Sequence, residues 1–128
     1  MSMHADLRRY LATCEGRAFR YGRHDCALFA AGWVRMRTGR DLTLGIRYAS
    51  LGEGRARLMA EGYADHIAVA AAHLAEIAPL QARLGDIAVL RGALGIVTGE
   101  RVALPGRRGL TYAPVTMAER ACALRGAA

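Results

Sequence analysis

Leu7, Tyr10, Leu11 and Cys14 recur at i, i+3, i+4 and i+7, which is one face of a helix. Gly16 supplies its stop. A stronger signal starts at Cys26, where the chain reads CALFAAGWVRMRT. Its alanines, Leu28, Phe29, Trp33 and Val34 leave almost no polar side before Arg35. The pattern predicts a buried central helix, capped by Asp25, running to about Thr38 and stopped by Gly39. Trp33 belongs to its core face. Ser50 is placed to cap a third helix through about Glu61, closed by Gly62. ADHIAVAAAHLAEIA predicts a fourth, with Asp65 as a cap and Pro79 beyond its end.

The period then changes. GDIAVLRGALGIVTGERVALPGRRGLTY is rich in Val, Ile and Leu in short runs cut by Gly and Pro. It predicts successive antiparallel strands near Ile87–Leu90, Leu94–Thr98, Arg101–Leu104 and Leu110–Ala113, with a further one at Ala121–Arg125. Asp86, after Gly85, reads as a turn residue. Helices over about 1–80 followed by strands over about 85–128 make a single α+β domain with a sheet of about five strands.

The length of 128 residues fits one domain, large enough to bury a core without staples. No apolar run reaches the roughly 18 residues of a membrane span. The first residues carry Asp6, Arg8 and Arg9 where a signal peptide needs an apolar stretch. The expectation is a soluble protein, cytoplasmic on synthesis. Three cysteines with no C-x-x-C pair point away from a disulfide framework and a zinc ribbon. A composite zinc site using Cys26, His24 and distant ligands is the one metal reading left open; no metal and no cofactor is the expectation. Net charge is +7, and all 18 basic residues are arginine. Lysine-free, alanine-rich composition matches the coding bias of a GC-rich genome. The densest cluster, Arg35, Arg37 and Arg40, lacks the interleaved aromatics that stack bases. An arginine-rich nucleic-acid-binding domain is therefore the weakest of the functional alternatives.

The junction YGRHDCALFAAGWV carries the candidate chemistry. A thiol in the first turn of a helix sits among unpaired N–H groups and the positive end of the macrodipole, which lower its pKa. Cys26 is thus a candidate nucleophile, and equally a small residue entering a core. Asp25 caps the helix and also repels a thiolate. Tyr21 either lines a cleft beside Cys26 or packs beneath it.

Phe19, Tyr21, Gly22, Asp25, Cys26 and Phe29 stand in an order that resembles the nucleophile segment of the NlpC-type, papain-like cysteine peptidases. LGDIAVL and ALGIVTG resemble that family's first two core strands, so the likeness spans about Phe19 to Gly99. Its nearest form is a compact branch in phage and prophage tail modules. The resemblance implies a papain-like fold, Cys26 as nucleophile, peptides of peptidoglycan as substrate, and tail-tip or tail-hub proteins as partners in a virion tail. It also implies a base histidine opening the second strand, where this chain has Ala93. The third catalytic member would fall near Ala103. No histidine follows His73. His24 is a candidate base by nearness in sequence; His66 and His73 could approach only from the helical layer. The expectation from Ala93 is that no imidazole reaches Cys26. A structural or adaptor protein of a tail module then comes first, and an active peptidase or amidase second.

Overall fold

The computed structural model describes residues 2–124. Four helices come first: α1 (Met3–Cys14), α2 (Cys26–Thr38), α3 (Leu51–Ala60) and α4 (His66–His73). Six strands follow: β1 (Ala75–Ile77), β2 (Ile87–Leu90), β3 (Ala93–Val97), β4 (Arg101–Gly106), β5 (Gly109–Pro114) and β6 (Arg120–Ala123). They form one antiparallel sheet in the order β1-β6-β2-β3-β4-β5. The α+β class and the helix-then-strand order are those expected.

Each helix start obeys local chemistry. The side chains of Ser2, Asp25, Ser50 and Asp65 each accept a backbone N–H three residues on, at 2.8–3.1 Å. Each thereby pairs one of the donors that a helix start leaves free. α2 ends as predicted, with Gly39 in the left-handed region and its N–H on the Arg35 carbonyl.

Two features differ from expectation. The fourth helix stops at His73, and Ala75–Ile77 leaves it to pair with Ala121–Ala123 of β6. Alanine-rich sequence favours helix locally, but β6 would otherwise carry an unpaired edge. The sheet accordingly has six strands rather than about five. The last strand runs Arg120–Ala123; the predicted extension to Arg125 lies outside the described residues.

α2 packs across β3 and β4. Phe29, Ala30, Trp33 and Val34 are buried with Leu7, Val69, Ile87, Val89, Leu94, Ile96 and Ala103. Ala88, Leu90, Val97 and Val102 turn to the opposite sheet face and pack with residues such as Ala82, Val115 and Ala118. β2 is therefore buried along its whole length, which explains its unbroken apolar run. Trp33 Nε1 donates to the Gly85 carbonyl at 2.8 Å, fixing α2 to the turn before β2. Asp86 is structural: it accepts from Arg83 N and Leu124 N and ties this turn to the end of β6.

Trp33→Phe removes that hydrogen bond and part of a fully buried ring. It should lower stability by roughly 2–3 kcal/mol. Urea unfolding should show a reduced midpoint with an unchanged slope.

Candidate active site

Cys26 is the first residue of α2, and its side chain meets the start of β3. The main-chain N–H groups of Leu94, Ala27 and Cys26 itself lie where they favour a charged sulfur. Asp25 holds this junction. One carboxylate oxygen accepts Leu28 N–H at 2.8 Å; the other accepts Gly22 N–H at 3.0 Å and the Tyr48 hydroxyl. The loop over Tyr48 lies tightly against the turn that precedes Cys26. Gly22 has φ +79°, and a Cβ there would lie 1.9 Å from the Tyr48 carbonyl oxygen, so only glycine fits.

The expectation that no imidazole reaches Cys26 is overturned. His66 Nε2 lies 3.7 Å from Cys26 Sγ, within hydrogen-bonding range for sulfur. His66 opens α4, which Asp65 caps and Val69 and Ala70 bury in the core. The main chain of Gly92, in the β2–β3 turn, lies where it favours the protonated ring. β3 begins at Ala93, so alanine stands where the resembled family has its base. The imidazole arrives instead from the helical layer.

His24, the candidate base nearest in sequence, goes elsewhere. It is 4% exposed, its ring meets Phe29 edge-on at 6.1 Å, and its Nε2 has no partner among the described residues. The intervening turn bonds His24 N–H back to the Arg20 carbonyl and points the ring into the core. His73 bonds the Val69 carbonyl through Nδ1 at 2.9 Å. Among the described residues no three His, Cys, Asp or Glu side chains gather as a metal site. None of the described helices is long and apolar enough to cross a membrane.

The expected lowering of the thiol pKa is also reversed. Burial pushes Cys26 up; the Leu94, Ala27 and Cys26 N–H groups oppose this, while Asp25 adds to the rise. Burial pushes His66 down, against the favourable charges of Asp65 and Asp25. Desolvation disfavours each charged form, so the pair rests as thiol and neutral imidazole.

Cys26 and His66 open into a cleft of about 90 Å³. It lies among α2, α3, α4 and the 42–48 loop, with Leu42, Ala31 and Val69 deeply buried and Tyr21 and Leu51 more exposed. Tyr21 is 41% exposed and lines the cleft, with its ring edge-on to Phe19. Sequence reasoning misses Tyr48, and leaves His66 as one of two histidines that could approach only from the helical layer. Asp65 before His66 marks a helix start, but nothing local shows that this start faces Cys26.

Residues 2–123 match the family described as a domain of unknown function, DUF6950, and the chain belongs to that family. No curated protein and no solved structure matches it.

Both imidazoles, His24 buried and His66 half-buried, should make stability depend on pH. His24 and His66 are held below the ordinary histidine value in the fold, chiefly by burial. The unfolded chain takes up their protons near pH 6.5, before the folded chain does. Stability should therefore be full above that pH and fall as pH drops toward 5. Thermal melts over pH 5–8 should show this slope. His66→Gln should flatten part of it, and an unchanged slope in both His66→Gln and His24→Gln would contradict the assignment.

Proposed function

We propose that this chain is a cysteine-dependent amide hydrolase of papain-like design, with Cys26 as nucleophile and His66 as general base. The observation that carries the reading is the 3.7 Å approach of His66 Nε2 to Cys26 Sγ at the mouth of a cleft. The thiol proton passes to His66 as sulfur bonds to the carbonyl carbon. N–H groups at the start of α2 offer hydrogen bonds to the oxyanion. His66 returns the proton to the leaving amine, leaving a thioester on Cys26. Water, deprotonated by His66, then releases the acid and restores the thiol.

The resemblance to NlpC-type peptidases supplies peptides of peptidoglycan as the substrate class and a phage or prophage tail module, with its tail-tip or tail-hub proteins, as the setting. A structural adaptor in such a module is the second reading. Ala93 and the raised thiol pKa favour it. The helix-borne imidazole places the enzyme first.

Purified stem peptides of peptidoglycan, assayed by release of new amino termini, separate the two. Cys26→Ala should abolish turnover, and His66→Ala should reduce it by about 10²–10⁴-fold, the usual contribution of a positioned base. Adding Ala93→His to His66→Ala offers a base from the strand and should restore at least about tenfold of the loss. Melting curves near the parent's would show that the variants fold. Cleavage that persists in Cys26→Ala would exclude this mechanism. A folded parent that cleaves no stem peptide would favour the adaptor.

A further inference from the structure

The cleft beside the thiol has a chemical character of its own. Its polar side chains are mostly committed within the protein. Asp25 accepts three hydrogen bonds, Tyr48 donates to Asp25, and Thr43 donates to Asp41 at 2.5 Å. Arg55 is exposed. The deeply buried wall is purely aliphatic: Ala31, Leu42 and Val69 are 6%, 9% and 2% exposed. Leu28, Ile46 and Leu58 extend it. Cys26 and Ala31 lie on one helix, so about 1.5 Å of rise per residue sets Ala31 roughly 7.5 Å along the helix axis from Cys26. A group seated there leaves water for an apolar wall and finds no unpaired donor or acceptor on it.

Resting on the proposed nucleophile, we infer that the cleft is an acyl site for an uncharged aliphatic group of about four to six carbons. In a peptide substrate this is the aliphatic part of the residue whose carbonyl is attacked. Arg55 also lines the cleft and is exposed.

4-Nitrophenyl esters from acetate to octanoate test this directly. Sulfur bonds to the carbonyl carbon, the ester C–O bond breaks, and 4-nitrophenolate departs with the electron pair while His66 holds the thiol proton. The burst of nitrophenolate and the mass of acyl-Cys26 give the acylation rate per molecule of full-length chain. The rate should rise about three- to fourfold per methylene to near hexanoate, the gain of burying one CH₂, and then level or fall. Ala31→Leu should move the optimum to shorter chains, and Val69→Ala to longer ones; the second keeps the test intact should the first fail to fold. Equal acylation of Cys26 by every ester, or an optimum that neither variant moves, overturns the acyl site and leaves the nucleophile standing. If iodoacetamide labels Cys26 but no ester acylates it, the hydrolase reading falls, and this inference with it.

Discussion

The packing of α2 on β3 is the contact on which the rest depends. The helix is apolar on nearly every side, so it is stable only when covered all round. β3 and β4 cover one side; α1 and α4 contribute Leu7 and Val69 to the same core. Trp33 then sets the helix along its axis through the Gly85 carbonyl. With the helix fixed, its first residue has one place to go. Cys26 meets the start of β3, near the Leu94 N–H. The turn at Cys26 is thus held by the core.

The electrostatics of the pair follow from that burial. A helix start and three N–H groups favour thiolate, yet desolvation outweighs them. The same desolvation keeps His66 neutral. Asp25 is occupied as a clamp among Gly22, Leu28 and Tyr48. Its cost to the thiolate is accepted for an ordered turn. The imidazole comes from a short helix whose cap, Asp65, and buried Val69 hold it at the mouth of the cleft. A general base need only be in reach and properly oriented. The fold brings an imidazole into reach from the helical layer, where strand β3 supplies only alanine.

Local chemistry made much of this molecule readable in one dimension. The 3.6-residue period of α1, the caps Asp25, Ser50 and Asp65, the stop at Gly39, and the apolar runs of β2 to β5 depend on neighbours in sequence, and each stands where residue patterning puts it, to within a residue or two. Cys26 at the first helical position is legible for the same reason. β1 was not, because alanine-rich sequence favours helix and only pairing with a strand 46 residues on makes it extended. The His66–Cys26 contact joins residues 40 positions apart, through the docking of two helices that share no pattern. The thiol's raised pKa depends on how much water the packed layers exclude. The sequence by itself determined the elements, their caps and the place of Cys26 at a helix start, since those arise from interactions a few residues long. Only the tertiary structure decided which histidine faces the thiol, which way burial shifts each of the two groups and which side chains line the cleft, since each is set by distances between elements that no local pattern encodes.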